Sequence, residues 1–367
     1  MADVGTTIRA TGAVDCDVHN AVPRLSALFP YLPASWVDYC RETGVEGFDP
    51  AFYPPGAPLS ARPGSRVGEG PPGSDPCVVR DHVLDGPGAR YAVLNCLYAV
   101  SAVHNPDWAA SMARALNDWQ AAQWLAADPR FRASIVVSTR DPHAAAEEVA
   151  RWAGRGFVQV LLPASTPAPL GQRVHWPIYA AAEAADLPVA VHPGVGSANP
   201  LSPVGWPSHY VEDYACAALT LQSQLTSMVA EGVFAAHPGL RVVLLESGVT
   251  WLPSLMWRFD KNWKALRREV PWVDRPPSQV IREHVLLSTT PLDAPPGLDH
   301  AWVDRFLTRL GSVEMLLHAG DYPHWHHGNA PTALLEQLSP AERELVLSGN
   351  AMRLYRLPEE AGWAQAD

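Results

Sequence analysis

AVDCDVH, residues 13–19, is a short apolar run that ends on an acid and an imidazole, and the same pattern returns twice. LPVAVHPG (187–194) runs into His192, and VEMLLHAGDYPH (313–324) runs into Asp321 and His324. In a barrel of parallel strands every strand opens at its C-terminal end onto one face, so donors far apart in sequence converge there. Alternation along the first run turns residues 15, 17 and 19 to one side, which lets Asp17 and His19 grip one cation while their apolar neighbours pack. A D-x-H pair alone reads first as a turn aspartate and a surface histidine at a strand end. His192 at a second terminus, and Asp321 just past a glycine, where a carboxylate reaches both ion and substrate, make the set specific. Asp17, His19, His192 and Asp321 are therefore the expected ligands of a single divalent metal ion.

Outward from these runs, the candidate strands are 13–18, 90–97, 132–138, 157–162, 187–192, 241–246, 284–289 and 313–318. Between them lie helical patterns at 107–126, 142–154, 176–186, 211–231 and 249–268. Alternation that closes at eight strands predicts an α/β fold, a (β/α)8 TIM barrel. A doubly wound open sheet is the alternative, but no G-x-G-x-x-G or G-x-x-x-x-G-K-[ST] follows an early strand. After the first strand, DPAFYPPGAPLSARPGSRVGEGPPGSDP (49–76) is too rich in proline and glycine for regular structure. Such a loop sits over the active face, so 47–88 is expected to be a lid-like insertion, with a plain disordered loop as the alternative.

The 367 residues are 47% apolar, enough to bury one large core, and the whole of 1–367 is expected to form a single barrel domain. A formal charge of -11 with no Lys/Arg block argues against a nucleic-acid groove or an anionic membrane surface and favours a small-molecule substrate. Five scattered cysteines without a CxxC pair point to free thiols in a reducing, cytoplasmic setting. The first residues lack a basic start followed by an apolar stretch, and no run approaches the roughly 20 apolar residues of a membrane span.

Beside Asp321 stands the cluster His324, His326 and His327, in which His324 is expected to orient Asp321 and the other two to line the pocket mouth. His237, just before a strand, and His318, within one, are taken as structural. Of the fourteen tryptophans, Trp206 and Trp325 are placed at the pocket, where flat indoles suit an aromatic or peptide-like ligand.

These residues resemble the amidohydrolase-related group of the amidohydrolase superfamily, which includes aminocarboxymuconate semialdehyde decarboxylase and the resorcylate-type decarboxylases. The resemblance runs from VDCDVH through VHPG, HPGLRVVLLESGVTWLPSLMWRFD and AGDYPHW to LVLSGNAMRLYRL, nearly the whole chain. It implies metal ligation by Asp17, His19, His192 and Asp321, with Asp321 also transferring the proton. It also implies a homodimer, and a substrate contact through Arg258 in W-R-F-D, for which a structural pairing with Asp260 is the alternative. One departure stands out: where the family's sixth strand commonly has H-x-G, this chain has Glu246-Ser247-Gly248. A carboxylate there only accepts when ionised; it can ligate the ion, act as a base or hold a cationic substrate. With Asp17 and Asp321 it makes a set that is over-anionic unless one member keeps a proton or meets positive charge.

The expected catalytic residues are therefore Asp321, Glu246 and His324. Mixed Asp/His ligation suits zinc, the first expectation, and manganese alike. The leading expectation is hydrolysis of a C–N or related bond by a metal-activated water, with Asp321 moving its proton. Non-oxidative decarboxylation of an aromatic or unsaturated acid is the alternative, and a degenerate barrel that binds without turnover is the third.

Overall fold

Eight parallel strands pair in sequence order, β1-β2-β3-β4-β5-β6-β7-β8. They are Val14–Val18 (β1), Tyr91–Leu94 (β2), Phe131–Val136 (β3), Phe157–Pro163 (β4), Val189–His192 (β5), Val242–Leu244 (β6), Val285–Ser288 (β7) and Leu316–Leu317 (β8). The computed structural model describes residues 11–48, 61–194, 200, 204–295, 298–324 and 332–359. The first and last strands meet through Cys16 N–H donating to His318 O (3.0 Å) and His19 N–H donating to Tyr322 O (2.7 Å). These bonds bring the ends of the sheet together into the expected (β/α)8 TIM barrel, and they place the residues after β8 directly beside His19.

Nearly every strand residue is buried, because the barrel interior covers one face and the helices the other. The helices start where their caps dictate. Asn105 accepts from Trp108 N–H ahead of Pro106–Gln120, and Asp141 accepts from His143 and Ala144 N–H ahead of Pro142–Trp152, each with proline in the first turn. Trp176–Ala184, Tyr210–Ala230 and Leu252–Leu266 supply the other expected helices.

Two strands are shorter than their apolar runs. The Ser312 side chain accepts from Glu314 N–H and winds Val313–Met315 into a 3₁₀ turn, so β8 begins only at Leu316. β6 stops at Leu244, and Glu246 beyond it adopts a left-handed backbone with φ 44°. In β1 the register against β2 shifts between Asp15 and Val18, a bulge that re-aims side chains at the barrel rim.

Part of the insertion after β1, residues 49–60, lies outside the described residues. The following stretch docks on the rim: Arg62 N–H donates to Pro323 O (2.6 Å) and Ala21 N–H to Gly73 O (3.0 Å). Gly73 (φ +77°) approaches so closely that a Cβ would sit 2.4 Å from His19 O. Only glycine permits both that backbone and that contact. Among the described residues no helix is long and apolar enough to cross a membrane.

Candidate metal centre

The ends of β1, β5, β6 and β8 bring Asp17, His19, His192, Glu246, Asp321 and His324 together. Asp17, His192 and Asp321 are fully buried, and His19 nearly so. Ligand atoms of Asp17, His19 and His192 lie within 4.8 Å of one another, as do those of His19, Glu246, Asp321 and His324. His19 belongs to both groups and joins them.

The hydrogen bonds fix which atoms face the centre. His192 Nδ1 bonds the carbonyl of Pro193, which can only accept, so Nδ1 carries the hydrogen and Nε2 presents its lone pair inward. That Nε2 is 3.4 Å from Asp17 Oδ2 and 3.5 Å from Glu246 Oε2. Among the described residues neither His192 Nε2 nor Asp17 Oδ2 has a hydrogen-bond partner, although both are buried. Two buried acceptors facing each other at this distance repel unless positive charge sits between them, and a divalent cation satisfies both. His19 is oriented in the same way: Nδ1 donates to Asn95 O (3.2 Å), and Nε2 lies 2.9 Å from Asp321 Oδ1 and 3.7 Å from Asp17 Oδ1. The other oxygen of the pair, Asp17 Oδ1, accepts from Asn95 Nδ2 (2.8 Å). The donor set and its orphaned atoms thus fit one divalent cation held by oxygen and imidazole nitrogen.

The electrostatics lead to the same conclusion. Burial opposes charge on His19, but Asp17 and Asp321 prevail and push its imidazole up to about 10. His324 is also raised: burial opposes its charge, while Asp321, which accepts from Nδ1 at 2.7 Å, and Glu246 favour it. The Glu246 carboxyl is raised by burial and then by Asp321, so it holds a proton more tightly than an exposed glutamate does. Asp321 sits at φ 55°, a conformation aspartate tolerates better than most residues, which turns its carboxylate between the two imidazoles. The structure thus brings His324 against Asp321, the contact that an orienting role requires.

The remaining sequence-predicted groups lie elsewhere. Arg258 is exposed on Leu252–Leu266, outside the buried cluster, while Asp260 instead accepts from Ser278 N–H and Oγ–H. Trp206 is 55% exposed in the loop before Tyr210–Ala230. Trp325, His326 and His327 lie outside the described residues. His237 pairs with Glu183 (3.1 Å), and His318 is buried in the seam between β8 and β1, where burial holds it down to about 4 and therefore neutral.

Three groups near the centre escaped the sequence analysis. Asn95 bonds both Asp17 and His19; its signal was an amide interrupting the apolar run RYAVLNCL. Tyr214, one turn from Tyr210 on Tyr210–Ala230, faces the acids: burial and then Glu246 raise its phenol. Asp15 is buried below Asp17, where Oδ1 accepts from Gly320 N–H (2.8 Å) and Asp17 N–H (3.2 Å). Burial outweighs these bonds and raises its carboxyl from 3.8 to about 7. The folded state therefore binds the Asp15 proton more tightly than the unfolded state does, and its contribution to stability is lost as pH rises from about 4 through 7. Asp15→Asn keeps the acceptor. We expect it to leave the metal-free melting temperature unchanged near pH 4 and to raise it at pH 8, by up to about 4 kcal/mol in stability. Equal pH profiles for the two proteins, followed by circular dichroism, would contradict this.

A closed ring of parallel strands with acids and imidazoles gathered at their C-terminal ends defines a (β/α)8 barrel whose mouth can hold a divalent cation. The family model described as Amidohydrolase matches residues 14–357, and the chain belongs to that family. It is 29% identical over 290 residues to a gamma-resorcylate decarboxylase from Rhodococcus jostii (strain RHA1), covering 71% of this chain and 80% of that protein. Among solved structures it resembles a dihydroxybenzoic acid decarboxylase from Polaromonas sp. JS666 with bound manganese and the inhibitor 2-nitroresorcinol. There the TM-score is 0.65 and the identity 21%, over 94% of this chain and 97% of that one. A 5-carboxyvanillate decarboxylase from Sphingomonas paucimobilis gives a TM-score of 0.68 and 19% identity, over 95% and 99% of the two chains. At these identities the structures establish the fold.

The relatives' activities overturn hydrolysis as the leading expectation and point to the alternative, decarboxylation of an aromatic acid. A cation with an adjacent carboxylate serves either reaction, so the ligand motifs do not encode what leaves. Glu246, which stands where the resemblance implies a histidine, is a carboxyl of raised proton affinity and does not by itself separate the two reactions.

Proposed function

We infer that this chain catalyses the cation-dependent, non-oxidative decarboxylation of an aromatic carboxylic acid carrying a hydroxyl beside its carboxylate. The observation that carries this is a buried carboxylate, Asp321, held by two imidazoles at the barrel mouth of a chain whose curated relative is a gamma-resorcylate decarboxylase. Asp17, His19, His192 and Asp321 would hold the cation, with Glu246 in reach as a further oxygen donor. When bound, the cation supplies positive charge that holds the carboxylate and neighbouring oxygen of the substrate. Manganese, present in the Polaromonas relative, stands beside zinc as the metal of this proposal.

Asp321 delivers a proton to the ring carbon that bears the carboxylate. The carbon–carbon bond breaks, its electron pair stays on that carbon to form the new C–H bond, and carbon dioxide departs. The neighbouring His324 imidazolium, favoured by Asp321 and Glu246, restores the proton to Asp321. Glu246, with its raised proton affinity, keeps the acid-rich centre from carrying its full negative charge.

Tyr214 and the exposed Trp206 would offer aromatic surfaces to the ring, and the exposed Arg258 would be a cation that attracts the substrate's carboxylate on its approach. The insertion 47–88, of which Arg62 bonds Pro323 O and Gly73 lies against His19, would serve as the lid. A homodimer and a cytoplasmic setting complete the reading. They are supported by the exposed Trp257 and Leu266 on Leu252–Leu266 and by five free cysteines.

The test is a panel of hydroxybenzoates, with 2,6-dihydroxybenzoate among them, and aryl amides offered to the protein loaded with Mn2+ or Zn2+. Carbon dioxide in step with decarboxylated arene is the expected outcome. Release of amine with no carbon dioxide from any acid would refute the reading.

A further inference from the structure

Asp17 and His19 are not free to choose how they face the centre, and what holds them lies deep inside the barrel. Asn95, immediately after β2, donates from Nδ2 to Asp17 Oδ1 (2.8 Å) and to Cys16 O (3.1 Å). Its backbone carbonyl accepts from His19 Nδ1 (3.2 Å). One residue thereby sets a carboxylate and an imidazole at once: Asp17 Oδ2 and His19 Nε2 are the atoms left facing the centre.

Behind Asn95 the bonds continue across the barrel. Ser134 Oγ on β3 donates to Asn95 Oδ1 (2.6 Å), and Gln159 Nε2 on β4 donates to Asn95 Oδ1 and to Ser134 Oγ (3.0 Å each). Tyr355, at the end of the C-terminal helix Asn350–Tyr355, donates its hydroxyl to Gln159 Oε1 (2.8 Å). Asp17, Asn95, Ser134 and Gln159 are wholly buried, and Tyr355 is 7% exposed.

The direction of this chain is fixed at one end. The backbone carbonyl of Cys16 only accepts, so the Asn95 amide must turn its nitrogen to Cys16 O and Asp17 and its oxygen to Ser134 and Gln159. Gln159 then turns its nitrogen toward Asn95 and its oxygen toward Tyr355, which must donate. Each member has a single orientation that satisfies its neighbours, so the network is rigid and not merely polar. Interior layers of such barrels are filled mainly by branched apolar side chains, and a layer of buried amides and hydroxyls carries a desolvation cost. That cost is accounted for if the layer's task is to hold Asp17 with Oδ2 presented.

We propose that Asn95 is a positioning residue for the cation site and that Ser134, Gln159 and Tyr355 extend this positioning network to the C-terminal helix, so that cation affinity depends on a phenol at the far end of the chain. The inference rests on the cation site described above. Outer-shell partners of this kind typically carry a 10–100-fold effect on metal affinity.

The experiment measures Mn2+ binding to the full-length, metal-stripped protein by electron paramagnetic resonance titration, with melting curves in chelator and in saturating Mn2+. Wild type, Asn95→Ala, Tyr355→Phe and a ligand control, His192→Ala, are compared. Asn95→Ala is expected to weaken Mn2+ binding by about 10–100-fold. Tyr355→Phe, which removes one hydroxyl and keeps the ring, is expected to weaken it about fivefold, the loss of one hydrogen bond. Both variants should gain less melting temperature from Mn2+ than wild type does. Their curves in chelator separate this from a fold defect, which lowers the melting temperature without changing the gain from Mn2+. Wild-type affinity and Mn2+ gain in Tyr355→Phe and in any folded Asn95→Ala would overturn the proposal alone, provided His192→Ala loses binding. If wild type and His192→Ala both fail to bind Mn2+, the cation site itself falls and the positioning role with it.

Discussion

Asp321→Asn is expected to lower kcat for carbon dioxide release by about 10²–10⁴-fold, the range lost when a positioned general acid is removed. The fold should tolerate the change. Asp321 sits at φ 55°, a left-handed conformation that asparagine adopts at least as readily, and the amide oxygen can still accept from His324 Nδ1. What disappears is a carboxyl that gives up a proton and takes another. An amide does neither, and its nitrogen is a donor where the site offers acceptors such as Glu246. The deficit should therefore appear in kcat while the KM for the aromatic acid moves little, since Asp17, His19, His192 and Glu246 still face the centre. Steady-state kinetics by carbon dioxide capture, alongside a melting curve matching wild type, would establish this. A variant within tenfold of wild type would remove Asp321 from the proton path and leave Glu246 or His324 as the donor.

The way this site assembles explains what its sequence discloses. Strand ends are visible as apolar runs that stop on a polar side chain, and a barrel sends all such ends to one face. For that reason Asp17, His19, His192 and Asp321 were legible as a set although 304 residues separate the first from the last. The backbone turns that aim Glu246 and Asp321 were not legible: both depend on positive φ in residues that seldom adopt it, which tertiary contacts impose. Nor was the Ser312-bonded turn that shortens β8, since VEMLL has the composition of a strand throughout. Asn95 and Tyr355 were hidden for another reason. Asn95 is one polar residue in an apolar stretch and Tyr355 one aromatic in the mixed run NAMRLYRL, and the meaning of each appears only when β1 to β4 and the C-terminal helix share one interior. The reaction was least legible of all, because acids and imidazoles that can hold a cation serve hydrolysis and decarboxylation alike.

Removal of the cation should have an effect at least as large. Dialysis against a chelator is expected to abolish turnover and Mn2+ to restore it; the stripped protein should also melt lower. A ligand at 100 times its dissociation constant adds about 2.7 kcal/mol, which for a chain of this length is a shift on the order of 5 °C. The shift should grow with pH, and its sign follows from the buried groups. In the stripped protein His19 is raised to about 10, so the stability from its proton is complete below its ordinary value of 6.5 and is lost as pH rises through 10. The Glu246 carboxyl is raised as well, so its contribution also declines with rising pH. A cation competes with these protons, and its binding must release them, so its apparent affinity climbs over the range in which the stripped protein weakens. Melting curves with chelator and with saturating Mn2+ at pH 6, 7 and 8.5 should diverge progressively, and a pH-independent gap would mean that the cation binds away from His19 and Glu246.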